Sequence, residues 1–261
     1  MPVDVNGDVD LTLTRQVLRD FHRESPRALE SETGFVRRIS PDLLVADADP
    51  LAVMAGASLG IPSFILSNFT WDWIHRSLFP ELDSEWRFLE SAYSGGKYLR
   101  LPLGPEHSPC GESLEMPLLP AGPPGNPDRG LALSGGRRYA LLAFREPPSG
   151  GMPYTRGMFT VAALPENTLG ADLCITPAQI RRAGASFADL IAGASLVFCK
   201  PGYGILSQLL ADRLDAVILG GRRFPEEPYL MKGWNTLKGM NRSWNNIRHC
   251  FLESFIGATG L

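Results

Sequence analysis

Residues 196–228 read LVFCKPGYGILSQLLADRLDAVILGGRRFPEEP, and this stretch decides the fold. Its first four residues, Leu196, Val197, Phe198 and Cys199, form an apolar run closed by Lys200 and Pro201, the pattern of a buried strand. Gly202-Tyr203-Gly204 breaks the run. Beyond the break, Ile205, Leu206, Leu209 and Leu210 recur at helical spacing, with Ser207, Gln208 and Arg213 on the other side. A second apolar run, Ala216, Val217, Ile218 and Leu219, ends at Gly220-Gly221. Strand, glycine turn, helix and strand make one βαβ unit of a parallel sheet. Ligands of such sheets bind beyond the carboxyl ends of the strands, which places residues 200–204 and 220–227 at a candidate site.

The first of these loops has the chemistry of an anion site. Glycines at 202 and 204 leave no Cβ in the path of a ligand. The helix that follows opens with unpaired N–H groups and a partial positive charge, for which a phosphate or diphosphate is the natural partner. Lys200 stands beside the loop, and Ser207 offers a hydroxyl from the first turn. The competing reading of the same glycines is a tight turn and nothing more, because the pattern is neither G-x-G-x-x-G nor a P-loop. The second loop adds Arg222, Arg223, Glu226 and Glu227 just past a strand, where they are placed to read the hydroxyls of a sugar.

Working outward, the first half repeats the βα alternation. Residues 43–47 (LLVAD) predict a buried strand, 50–59 a helix opened by Pro50 and stopped at Gly60, 61–67 a strand, and 70–79 a helix. Residues 12–38 carry apolar positions at helical spacing among charges, which predicts one long amphipathic helix or two short ones with Pro26 as a kink. A helix over 80–95 turns Leu82, Trp86, Leu89 and Tyr93 inward, and a strand follows at 98–101. Residues 119–136, rich in Pro and Gly, read as a linker between an N-terminal domain (1–118) and a C-terminal one (137–261). In the second domain, strands are expected at 138–144 and 159–163, a short helix at 187–193, and a helical end over 231–256. The fold class is α/β, with two Rossmann-like domains.

The 261 residues, 44% hydrophobic and 20% charged, are ordinary for a globular chain. A net charge of −3 gives no reason to expect nucleic acid as a partner. Cys110, Cys174, Cys199 and Cys250 lie far apart without a C-x-x-C, which argues against a disulfide framework or a zinc site and suits a reducing, cytoplasmic compartment. No signal peptide and no membrane-length apolar run is visible.

Asp47-Ala48-Asp49 looks like a D-x-D metal motif, but the better reading is Asp47 as a cleft carboxylate at a strand's carboxyl end and Asp49 as the cap of the next helix. Gly56-Ala57-Ser58-Leu59-Gly60 matches a nucleophile elbow in letters only: a helix precedes it and a strand follows, the reverse of what the elbow needs. Trp71 and Trp73 either stack a sugar ring or belong to the core. Asp72 and His75, one helical turn apart, lie within reach of each other.

Taken together, residues 200–219, 222–230 (RRFPEEPYL), 43–47, 60–62 and the run Asn68-Phe69-Thr70-Trp71-Asp72-Trp73-Ile74 resemble the nucleotide-sugar glycosyltransferases of the GT-B fold. The resemblance is strongest to the glycosyltransferase-like domain that precedes the kinase in plant-type L-arabinokinases. It implies a metal-independent transfer from a nucleotide sugar, by expectation a UDP-sugar, bound in a cleft between the two domains. In that reading Lys200, Gly202, Tyr203, Gly204 and Ser207 face the diphosphate, Gln208 stands where the family carries a ribose-binding Glu, and Arg222, Glu226 and Glu227 read the sugar. Asn68, Trp71 and Asp72 line the acceptor side, and Asp47 is the candidate base. The family also opens with a strand and a glycine-histidine loop that carries its usual base. Met1 falls after that region, and His22, His75, His107 and His249 lie in no such loop, so the N-terminal domain is expected to be incomplete. Two further readings therefore stand beside the enzyme: a non-catalytic sugar-nucleotide-binding module, and a remnant of such an enzyme. The first strand that remains would then present an unpaired edge suited to self-association.

Overall fold

The computed structural model describes residues 2, 9–144, 155, 157–220 and 224–239. Two all-parallel sheets organise the chain. The first contains β1 (Leu44–Ala46), β2 (Ser63–Ser67), β3 (Lys97–Arg100) and β4 (Ser113–Glu115) in that spatial order. The second contains β5 (Ala140–Ala143), β6 (Thr160–Ala162), β7 (Leu173–Cys174), β8 (Leu196–Cys199) and β9 (Ala216–Ile218), ordered β7-β6-β5-β8-β9. This is a doubly wound order: the chain grows outward from β5, then returns to add β8 on its other side. The reversal lies between β5 and β8, which pair in register from Ala140↔Leu196 to Ala143↔Cys199. The strands are apolar because both faces are covered; Leu141, Val197 and Cys199 are fully buried.

The first sheet grows in one direction only. Among the described residues β1 is its outermost strand, and Val45 on it is 46% exposed. Before it in the chain comes α1 (Leu11–Ile39), one continuous helix of 29 residues that packs on α2. Asp10 caps it by accepting from the Leu13 N–H at 2.9 Å, and Ser40 closes it in the left-handed region. Pro26 does not divide it; the Ser25 hydroxyl donates to the Phe21 carbonyl at 2.6 Å in the turn before. α2 (Pro50–Leu59) is capped by Asp49, whose carboxylate accepts from the Leu51 N–H at 2.9 Å, and it stops at Gly60 with φ 69°. A Cβ at Gly56 would overlap the Ser63 hydroxyl, so the helix can lie against β2 only with glycine there. Helix-to-strand packing accounts for that glycine without any nucleophile.

α3 (Trp71–Leu78) and α4 (Asp83–Tyr93) complete the first layer, and Leu82, Trp86, Leu89 and Tyr93 are buried as the spacing requires. The Tyr93 hydroxyl donates to the Ala48 carbonyl at 2.7 Å and accepts from the Trp71 N–H at 3.4 Å, tying the end of β1 to the start of α3.

Part of the segment read as linker is helical. α5 (Pro127–Leu133) packs on α7 (Phe187–Gly193), and a Cβ at Gly130 would overlap the Asp189 carbonyl. α6 (Pro177–Arg182) precedes α7. After β8 comes α8 (Tyr203–Ala211), which ends in a Schellman turn. There the Leu214 N–H donates to the Leu209 carbonyl at 3.0 Å and the Arg213 N–H to that of Leu210 at 3.2 Å. α9 (Glu227–Gly239) returns to the first layer: Tyr229 meets Trp73 edge-on at 5.4 Å, and Leu230 and Trp234 share a core with Leu103. Residues 240–256, expected to continue this helix, lie outside the described residues.

Candidate functional site

The glycine loop follows β8 at the switch point of the second sheet, where bound ligands meet doubly wound sheets. Gly202 has φ −161° and ψ 143°, an extended backbone open to any residue. A Cβ there would touch nothing nearer than Ile205 Cγ2 at 4.0 Å. Neither backbone geometry nor packing therefore demands glycine at 202, and the space in front of it is open. Gly204 is exposed, and Gly202 and Lys200 are half-buried beside it.

Three other residues expected at this loop turn elsewhere. The Tyr203 hydroxyl accepts from the Leu119 N–H at 3.0 Å, and burial pushes the phenol up to about 12, so it stays neutral. Ser207 is fully buried, and its hydroxyl donates back to the Gly204 carbonyl at 3.1 Å, as serines inside helices commonly do. Gln208 is 2% exposed; it accepts from the Gly122 N–H at 3.2 Å and donates to Asp212 at 2.6 Å and to the Pro123 carbonyl at 3.4 Å. Residues 119–123 thus form a strap bonded onto α8. The polar atoms of Ser207 and Gln208 serve the helix and the strap in this structure.

The second loop reaches the first sheet. The Asn68 amide donates to Glu226 Oε1 at 2.6 Å, and both residues are buried. Burial raises the Glu226 carboxyl above its ordinary range, and the bond from Asn68 opposes that rise. A Cβ at Gly104 would overlap the Asn68 backbone carbonyl, so the loop after β3 is pressed against this junction. Glu227 opens α9, and its carboxylate occupies the space that a Cβ on Gly220 would take. Arg222 lies outside the described residues.

On the first sheet, Asp47 is exposed at the carboxyl end of β1, and its carboxylate has no partner among the described residues. Ala48 beside it has φ 52°, a conformation that strains an L-residue. Trp71 stacks on His75 with centroids 5.8 Å apart, and burial lowers His75 to about 4, opposed by the Asp72 charge. Asp72 turns the other way: it is 2% exposed, and its Oδ2 lies 2.6 Å from His107 Nε2. His107 borders a cleft of about 690 Å³ that also meets Trp73, Tyr229 and Lys232. Sequence reasoning missed His107; it stands 35 residues from Asp72, and its only signal is a place beyond the carboxyl end of a strand.

Two further cavities lie at strand ends. One of about 400 Å³ sits between α1, the β1–α2 turn and α3. One of about 530 Å³ sits beyond β5 and β6, walled by Leu142, Phe144, Leu164, Ile180 and Phe187 with Arg181. No cluster of three or more metal-ligating side chains occurs among the described residues, and no helix among them is long and apolar enough to cross a membrane.

No protein-family model matches the chain. The L-arabinokinase of Arabidopsis thaliana is 28% identical over 229 residues, covering 78% of this chain and 21% of that protein. The chain thus spans about a fifth of the length of the curated relative it matches. Among solved structures, spinosyn forosaminyltransferase SpnP superposes with a TM-score of 0.53 at 13% identity, covering 98% of this chain and 86% of that one. The glycotransferase of kitacinnamycin gives a TM-score of 0.53 at 13% identity, covering 97% and 75%. The fold is the GT-B fold of glycosyltransferases, and the chain is shorter than these solved relatives.

Proposed function

We propose that this chain binds a nucleotide sugar, with a UDP-sugar as the expected donor, and acts as a metal-independent glycosyltransferase. The observation that carries the reading is the open glycine at 202. It lies at the switch point, ahead of the positive end of α8, and nothing in the protein itself requires it. Fixed N–H donors and a cation aimed at a departing diphosphate stabilise developing charge without a metal. In the transfer, an acceptor oxygen forms a bond to the anomeric carbon and the bond from that carbon to the diphosphate oxygen breaks. The diphosphate leaves with the electron pair against residues 202–204 and Lys200, and the acceptor proton passes to Asp47. The 530 Å³ cavity, one strand along from the loop and walled by Phe187 and Ile180, suits the flat base of the nucleotide. Cys110, Cys174 and Cys199 are free thiols, which suits the cytoplasm.

A second reading, a binding module without turnover, is favoured by Gln208, whose amide is spent on the strap rather than offered to a ribose. Saturation-transfer NMR with UDP, TDP, GDP and ADP tests the nucleotide. Contact to UDP alone or most strongly supports the reading, and contact to none of the four overturns it.

A further inference from the structure

The cleft of about 690 Å³ between α9 and the loop after β3 has a wall that is set before any ligand arrives. Leu103 opens that loop at φ 67°, in the left-handed region, which strains a bulky L-residue. Gly233 of α9 gives Leu103 its room, because a Cβ there would overlap the Leu103 side chain. Gly104 presses on the Asn68 carbonyl, and the Arg100 guanidinium donates to the Pro105 carbonyl at 3.2 Å. At the far end of the loop, His107 Nε2 meets the buried Asp72 carboxylate at 2.6 Å. Backbone strain held in place by such contacts gathers at binding and active sites.

The groups that line the cleft differ in kind. A carboxylate only accepts, so the neutral His107 ring carries its proton on Nε2 and keeps Nδ1 as an acceptor. Nδ1 has no partner among the described residues. From α9 comes the exposed ammonium of Lys232, which only donates and is also without a partner among the described residues. Glu106 brings an exposed carboxylate, so the one cation faces one anion. Trp73 and Tyr229, packed edge-on at 5.4 Å, add apolar ring surface, and Tyr229 is 38% exposed.

We infer that this cleft binds a free monosaccharide, with its ring along Trp73 and Tyr229 and its hydroxyls bonded to His107, Lys232 and Glu106. A sugar ring carries apolar C–H groups on its face, and each of its hydroxyls both donates and accepts. It therefore matches an acceptor, a donor and a ring surface at once. An inorganic anion would gain Lys232 but meet the Glu106 carboxylate and the Nδ1 lone pair. A ring with a single hydroxyl would serve one of the polar groups and leave the others to water. The volume lies within the range of small-molecule pockets, about 300–1,000 Å³. The site rests on α9 and the loop after β3 alone, and neither on the transferase reading nor on the glycine loop.

The test is ligand-observed NMR on the full chain without any nucleotide. D-Glucose, D-galactose, D-xylose and cyclohexanol are followed by saturation transfer, and inorganic phosphate by the width of its phosphorus line. At least one sugar is expected to bind about ten-fold or more tighter than cyclohexanol. Lys232→Met keeps the stem and removes the donors, so it should weaken that sugar by about ten-fold or more. Thr236→Trp, made at an exposed position that lines the cleft, should abolish the contact in a protein that melts as the parent does. The inference is wrong if none of the three sugars takes up saturation, if both variants bind the sugar as the parent does, or if cyclohexanol or phosphate binds as tightly as the best sugar. A sugar that binds as expected while UDP does not would leave this site standing and the transferase reading fallen. Contact to UDP without contact to any sugar would do the reverse.

Discussion

Replacing Gly202 with valine separates folding from ligand approach more cleanly than any other change at the glycine loop. The backbone at φ −161° and ψ 143° is one that β-branched residues favour. The added Cβ meets only Ile205 Cγ2, at 4.0 Å, so nothing must move. Valine is a poorer N-cap than glycine, a loss of up to about 1 kcal/mol. Against that, a side chain at a compatible position stiffens the unfolded chain and returns about 0.4–1 kcal/mol. Stability should therefore stay within about 1 kcal/mol, a shift of no more than about 4 °C in Tm for a chain of this size. A diphosphate at the loop would feel the change directly, because two methyl groups would stand where its oxygens approach the N–H groups of α8. Losing one charge-assisted bond, about 1.5–3 kcal/mol, weakens affinity by roughly 10- to 150-fold at 1.4 kcal/mol per decade. Calorimetry with UDP and thermal melts on both proteins give the two readouts. A Gly202→Val protein that melts normally and binds UDP as the parent does would show that the loop is not the site.

Arg213 occupies the left-handed position of the Schellman turn after α8, at φ 57°. Arg213→Gly should relieve about 1–2 kcal/mol of strain and give back about 0.5–1 kcal/mol in chain entropy, for a net gain of about 0.5–1 kcal/mol in urea denaturation; a loss of stability would contradict the turn geometry. Glu226, whose carboxyl is raised by burial, binds its proton more readily folded than unfolded, so its contribution to stability must fall as pH rises above its unfolded value of about 4.5. Glu226→Gln keeps an acceptor for Asn68 and should abolish that part of the slope above about pH 4.5; parallel pH profiles for the two proteins would refute the buried-acid assignment. The outer edge of β1 should make the chain self-associate in sedimentation velocity, and Val45→Lys should reduce the association. A monodisperse monomer at high concentration, with amide protection over 40–70 equal to that over 195–220, would show that the edge is adequately covered.

The order of strands and helices was legible where burial imposes a pattern. The run from Leu196 to Cys199, the helix after Gly202 and the Asp49-Pro50 helix start all stand where periodicity and capping put them. β4 was not legible, because its three residues are all exposed and carry no alternation; it exists through pairing with β3. α6 was legible but overlooked: Thr176 and Gln179 form a capping box around Pro177. At the site, glycine spacing pointed to the loop, but no local pattern shows that Gln208 and Tyr203 face residues 119–123. Those bonds span more than 80 residues, as the distance from Asp72 to His107 spans 35.

The strap changes where the protein can be cut. A Pro- and Gly-rich stretch between two sheets invites excision of the second domain at residue 137. Leu119 and Gly122, however, donate to Tyr203 and Gln208, and α5 sits on α7, so residues 119–136 are bonded and packed onto the helices of the second sheet. A fragment starting at 137 would bare Gln208, Tyr203 and the small-residue face of α7 at once. One starting near 117 keeps all of them covered, and it is the boundary at which to look for independent folding of the second sheet and its helices.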